Sequence, residues 1–271
     1  MTRRLLIFLL LAISCRALAQ PAADTAAVIR EFDDVMAFAV QPYVHFTSVM
    51  ALHSGPMLPP GDTGRILHSN FYKYEDNLYY GNEQEEMYLQ DSLMIRVNHR
   101  QKVIQISKVD VSTKKNMDIL PLKRADRQRL LRNRYTIAKM PDRGDTGVIV
   151  IRPQAGRSAG QSMNTEILME YTKSSHLPLL MRMTTLQRTS EAMSGALKAN
   201  GFDVVHMSEE RDGIRSLIMT QTASMRFETM ETTKETARHM PLWTDKIAYD
   251  PMSGNYMGKG DYSDYRIIKT F

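Results

Sequence analysis

Residues 71–107 constrain the fold more than any other part of the chain. Phe71-Tyr72-Lys73-Tyr74 and Leu78-Tyr79-Tyr80 run through Gly81-Asn82 into Met87-Tyr88-Leu89, after which Leu93, Ile95 and Val97 alternate with Met94, Arg96 and Asn98. The polar run Asn98-His99-Arg100-Gln101-Lys102 then returns the chain to Val103 and Ile106. Successive side chains of a strand point to opposite faces, so a period of two marks half-buried strands. Links this short join antiparallel neighbours, because a parallel step needs a crossover of a dozen or more residues. A meander of consecutive antiparallel strands is predicted.

The flanking sequence extends the same pattern. Val28, Phe32, Val35, Met36 and Ala39 keep helical spacing between a capping Asp24 and a terminating Pro42. From Tyr43 the period changes to two, with Val44, Phe46, Met50 and Leu52 mostly on one side, until Gly55-Pro56 and Pro59-Pro60-Gly61 break the run. Further strand-like runs lie at 148–151, 167–171, 179–185, 218–229 and 265–271. Helical patterns recur only at 125–133 and at 191–199, before Asn200-Gly201. Parallel architecture needs a crossover helix between most strands, and there are too few. The fold class is α+β, one antiparallel sheet with a few covering helices.

The first residues read as a secretory signal: Arg3 and Arg4, an apolar core from Leu5 to Ser14, and the small-x-small pattern Ala17-Leu18-Ala19. Ten apolar residues are too few to cross a hydrocarbon core of about 30 Å as a helix. Cleavage after Ala19 is expected, giving a periplasmic or secreted protein. The alternative is a lipoprotein anchored at Cys15, since Ala12-Ile13-Ser14-Cys15 approximates a lipobox. Cleavage after Ala19 discards the chain's one cysteine, and with it any disulfide or thiolate chemistry. Residues 1–20 also carry Arg3, Arg4 and Arg16 and no acid, so the formal charge of +5 falls to +2 without them. No nucleic-acid role is supported.

Several motifs bear on chemistry. Gly156-Arg157-Ser158-Ala159-Gly160 matches the G-x-S-x-G nucleophile elbow, with Asp203 or Asp212 and then His239 downstream in triad order. An elbow needs a strand running directly into the turn and a helix leaving it. Here Arg152-Pro153-Gln154-Ala155 intervenes and Ile167, Met169 and Tyr171 continue with period two, so a flexible Gly/Ser loop explains the match more simply. No catalytic residue is assigned, and a serine hydrolase using Ser158 stays an alternative. The seven histidines never take the i, i+4 spacing of zinc sites, and neither metal nor cofactor is read. Asp142-Arg143-Gly144-Asp145 contains an adhesive-looking tripeptide, but Asp and Gly between strand-like runs are what a hairpin turn requires. Between Lys114 and Arg134 stand eight basic residues against Asp118 and Asp126, a run that suits an anionic membrane surface or, equally, a solvated helix face.

The chain resembles the periplasmic lipoprotein-carrier superfamily of LolA and LolB type. The likeness rests on Phe71-Tyr72, Tyr79-Tyr80, the Met87-Tyr88-Leu89-Gln90-Asp91-Ser92 run and the strand pair from Val97 to Ile106, behind an opening helix and a strand. Asp91-Ser92 stands where that family has Asp-Gly. The resemblance implies a curved antiparallel sheet, an incomplete barrel closed by helices, whose apolar concave face holds acyl chains. On this reading residues 20–271 form a single half-barrel domain. Its function is non-enzymatic: binding or carrying lipid or acyl ligands, such as the acyl chain of a lipoprotein.

A half-open apolar face needs a cover or a ligand, since a large exposed apolar patch is a liability. Leu93, Ile95 and Val97 share one face of their strand, and Leu179, Met181 and Met183 run along another. These six are the expected cavity walls. Twenty methionines suit either core filling or an adaptable binding surface. Two alternatives stay open beside the carrier and the hydrolase. One is an envelope structural or interaction module on the same scaffold. The other is an outer-membrane barrel ending at Phe271, against which Lys269 and the internal helices argue.

Overall fold

The computed structural model describes residues 25–55, 65–109, 131, 135–154, 163–190, 194–199, 208–211 and 214–271. The signal segment with Cys15 and Ala19, the Ser158 motif, and the basic run from Lys114 to Arg134 (Leu131 excepted) lie outside these residues. Strands dominate, in one large curved sheet that does not close into a barrel.

An opening helix, Thr25–Val35, passes directly into a 3-10 turn, Met36–Val40. The meander follows as β1 Tyr43–Gly55, β2 Arg65–Tyr74, β3 Asn77–Gly81, β4 Glu85–Gln90, β5 Leu93–Asn98 and β6 Val103–Lys108. A second antiparallel series is β7 Tyr135–Arg143, β8 Thr146–Pro153, β9 Met163–Thr172 and β10 Pro178–Ser190. A short helix, Ser194–Ala199, and β11, Ser208–Arg211, precede the long β12, Ile214–Glu231. The C-terminal segment holds a helical turn Lys234–Ala237, the hairpin β13 Ile247–Asp250 and β14 Asn255–Gly258, and β15 Arg266–Lys269.

The order across the large sheet is β15-β6-β5-β4-β3-β2-β1-β12-β10-β9-β8-β7, with β11 also on β12. Within the described sheet the two series are joined by β12, which is inserted between β1 and β10. The expectation of a wholly antiparallel sheet needs one correction. β15 runs parallel to β6, Arg266 opposite Val103, because it arrives through the C-terminal segment and not through a hairpin. The adhesive-looking tripeptide is a turn, with Gly144 at φ +64° between the paired Arg143 and Thr146.

Curvature shows in what clusters with the opening helix. Val28, Ile29, Phe32 and Val35 share one cluster with Leu89 of β4 and with Ile137 of β7. In a flat sheet those strands, eight steps apart at about 4.8 Å each, would be separated by roughly 38 Å. They share one cluster with the helix because the sheet curls around it, which makes the helix-bearing face the concave one. One close approach is built into the wall: Gly147 lies under Tyr171, where an added Cβ would come within 2.3 Å of the ring.

The helix is also clasped electrostatically. Glu31 accepts hydrogen bonds from Lys139 Nζ on β7, at 2.6 Å, and from the Tyr171 hydroxyl on β9. Burial, followed by that bond to Glu31, pushes the Tyr171 hydroxyl pKa up.

The convex face carries a second core. Tyr88, Ile95, Val97, Ile104 and Ile106 pack with Ile247, and Trp243, Tyr256 and Tyr262 close over them. His45, Tyr72, Tyr79 and Tyr88 continue this face as a cross-strand aromatic row on β1 to β4. At its end the buried Glu86 accepts from Tyr88, from Tyr262 at 2.6 Å, and lies 3.1 Å from His99 Nε2. Gln90 fastens the same segment, donating to the Pro241 carbonyl at 2.8 Å and accepting from the Trp243 amide at 3.2 Å.

Candidate functional site

The concave face is a set of rows that cross the strands. Nearest the helix, Phe46 of β1 stacks on Phe71 of β2 at 4.8 Å, and Phe227 of β12 meets Phe46 edge-on at 5.3 Å. These rings are sealed by Phe38 from the 3-10 turn.

A β-bulge keeps the aromatic row continuous. Phe46 pairs with Met230, whereas Ser48 pairs with Phe227, so β12 carries one residue too many between them. Residues 227 and 230 would face opposite ways on a regular strand. The extra residue turns both inward, a use of bulges common beside sites.

Next comes a polar row of two serines, Ser48 on β1 opposite Ser69 on β2. Ser69 Oγ lies 3.3 Å from the Tyr80 hydroxyl, which accepts from Asn82 Nδ2 at 2.8 Å. Ser48 Oγ is buried and has no hydrogen-bond partner among the described residues.

Beyond the serines the row becomes thioether and aliphatic. Leu67, Met50, Met225, Met181, Met169 and Ile149 lie opposite one another in turn across six strands, from β2 to β8. The next row pairs Leu52, Ala223, Met183, Ile167, Ile151 and Ile137. Cover along these rows is graded. Met169, Ile149, Ile151 and Ile137 are buried at the β7–β9 end, whereas Met183 is 42% and Leu52 38% exposed. Leu67, Met50, Met225 and Met181 are half-buried.

The six expected wall residues are divided by this geometry. Met181 and Met183 do face the concavity, Met181 against the helix-bearing cluster. Leu179 sits in an irregularity between Pro178 and Leu180 and is 38% exposed. Leu93, Ile95 and Val97 share a face as expected, but it is the convex one, where Ile95 and Val97 are almost completely buried against the C-terminal segment. The two rows therefore do not line one concavity. The physical reason is register: Met94 and Leu89 turn inward, so their neighbours Ile95 and Tyr88 turn outward.

Met225, Ala223, Leu67 and Ile167 are not among the six expected walls. For Met225 and Ala223 the signal is the run Met219, Gln221, Ala223, Met225 and Phe227 at every second position of β12. It places them on one face, and pairing to β1 and β10 tells which.

No family model matches the chain, and no curated protein does. Among solved structures it is similar to an uncharacterized conserved protein from Thermus thermophilus, with 6% identity, 89% of this chain and 98% of that one covered, and a TM-score of 0.38. It is similar to a LolA superfamily protein from Nitrosomonas europaea, with 10% identity, 78% and 94% covered, and a TM-score of 0.29. The MucA/MucB complex of Pseudomonas aeruginosa gives 9% identity, 85% and 74% covered, and a TM-score of 0.33. A LolA superfamily structure thus stands among those similar to this chain, as the resemblance carried by residues 71–107 leads one to expect. At identities of 10% or less and TM-scores below 0.4 these likenesses say nothing of a ligand, and what the chain can hold is a matter of its own inward rows.

Proposed function

We propose that the protein is a non-enzymatic binder or carrier of an apolar ligand, of the class of a lipid or lipoprotein acyl chain, held on the concave face by the Met50 and Met183 rows. The observation that carries this reading is the half-open row Leu67, Met50, Met225 and Met181, continued by the exposed Met183. Methionine is unbranched and polarisable, so such a surface adapts to a chain of variable shape. Apolar area left open beside a packed core is released from water when a ligand covers it, at about 25 cal/mol for each Å².

The site of action follows from residues 1–19: export, with cleavage after Ala19, or lipid anchoring at Cys15. Intact mass of the exported protein separates these. The domain is taken to be residues 20–271. The opening helix, which fills part of the concave face, favours a second reading as an envelope structural or interaction module. Displacement of a fluorescent fatty-acid probe decides between them. Wild type should bind, and Met183→Asp and Met225→Asp should lose binding while staying folded, because each sets an unpaired charge on the apolar row. Failure of the wild type to bind any acyl probe leaves the module.

A further inference from the structure

We infer that the ligand of this face is amphipathic and sets an uncharged oxygen, a hydroxyl or carbonyl, against the Ser48 hydroxyl. This rests on the binding reading above and adds the chemical class of the ligand's buried end.

Ser48 is 1% exposed and its Oγ has no hydrogen-bond partner among the described residues. It faces inward, since Phe46, two residues before it on β1, lies with its partner Phe71 in the helix-bearing cluster and strand alternation turns Ser48, opposite Ser69, the same way. Buried polar groups are nearly always satisfied, so an orphan among phenyl rings and thioethers needs a reason. Alanine would pack there without the desolvation penalty.

Two features narrow what completes it. The bulge that begins at Thr47 and Ser48 sets this residue, and not its neighbour, beside Phe227 on the concave wall. The adjoining Ser69 already has a partner in Tyr80, so of the pair it is Ser48 that is left with none among the described residues. A serine hydroxyl both donates and accepts, and so takes an alcohol or a carbonyl equally well.

A carboxylate or phosphate is disfavoured there. Its charge would be stripped of water beside Phe46, Phe71 and Phe227, and a desolvated, unpaired charge is expensive. The nearest inward cation by register is Lys73, two rows away opposite Val44, and it is held at the Ala39 carbonyl at 3.4 Å. A ligand whose chain lies on the Met50 row, one row from Ser48, brings a neutral oxygen at its inner end to the hydroxyl.

Hexadecane and hexadecanol, each delivered from cyclodextrin to wild type and Ser48→Ala, test this by displacement of a fatty-acid probe. Hexadecanol should bind Ser48→Ala roughly 3- to 10-fold more weakly than wild type, the loss of one neutral hydrogen bond, while hexadecane binding is unchanged. Urea unfolding of the unliganded variant verifies folding, with Ser48→Cys as the substitute if alanine disturbs the strand. Equal affinities of wild type and variant for hexadecanol, or equal losses for both ligands, overturn the inference while leaving the binding reading intact. Failure of wild type to bind either molecule overturns the binding reading, and this inference with it.

Discussion

Met94 and Ile95 are neighbours in the chain and belong to different cores. Met94 packs against the cluster around the opening helix, and Ile95, fully buried, against Ile247 on the other side of the sheet. Strand alternation alone produces this, and it decides how the two classes of methionine and isoleucine respond to charge.

Ile95→Asp should therefore unfold the protein, at a cost of about 4 kcal/mol or more for an unpaired charge in a packed core. Met183→Asp, at a position 42% exposed, should cost about 1 kcal/mol or less. Urea unfolding of the two variants measures the difference. Equal destabilisation would mean that Met183 is covered in solution.

Replacing Ser92 by glycine should stabilise the fold. Asp91 and Ser92 form the two-residue turn between β4 and β5, at φ +55° and +85°. Both central positions of such a turn need positive φ, which strains an L side chain and suits glycine. Relief of strain, less the entropy that glycine adds to the unfolded chain, gives a gain of about 0.5–1 kcal/mol. A lowered thermal midpoint for Ser92→Gly would count against the turn geometry.

Alkaline titration should weaken the convex core. Burial, then the Glu86 charge and Tyr72, push the Tyr79 hydroxyl up to about 12. Tyr88 and Tyr262 are raised too, by burial first and then by their bonds to Glu86. Each folded value lies above the ordinary tyrosine value of about 10, so the stability contributed is complete below about pH 10. It is lost as pH rises through the folded value. Tyr79→Phe should flatten the fall in urea midpoint between about pH 10 and about 12, with tyrosinate absorbance as the direct readout. An unaltered fall would place the titrating group elsewhere.

Gln90→Ala should loosen the C-terminal segment specifically. It removes both the donor to Pro241 and the acceptor for Trp243, leaving a half-buried amide and carbonyl unpaired at a cost of about 1 kcal/mol. Hydrogen exchange should accelerate at the amides of Trp243 and Ile247 and not at that of Phe46. Uniform acceleration would show that the segment and the sheet open together.

The meander was legible because its links are too short for any other pairing, and the opening helix because 3.6-residue spacing ends at a proline. Runs at 148–151, 167–171, 179–185 and 218–229 all lie within observed strands. β2 starts at Arg65, ahead of the aromatic run, because Ile66 and Leu67 pair with Ala51 and Met50 and extend the ladder through otherwise polar sequence. β13 and β14 were not legible: Tyr249 and Met257 are half exposed, so no alternation marks them. The site was half legible. Period two put Met181 with Met183 and Ile95 with Val97, but alternation assigns residues to a face of their own strand and not to the inside of a curl. That assignment comes from β12, whose partners lie far off in sequence.

The position of β12 also dictates an order of events. His45 pairs with Glu231 across 186 positions, whereas β1 to β6 and β7 to β10 close through neighbouring hairpins. Local hairpins form in microseconds, while long-range pairing waits on the loop-closure entropy of everything between. Two half-sheets thus exist before the keystone arrives, with β1 and β10 as raw edges. Such edges invite pairing with other chains. A chain emerging N-terminus first carries this liability until residue 231 is out. Partner proteins that shield nascent strands would have most to do in that interval, before the concave face is complete.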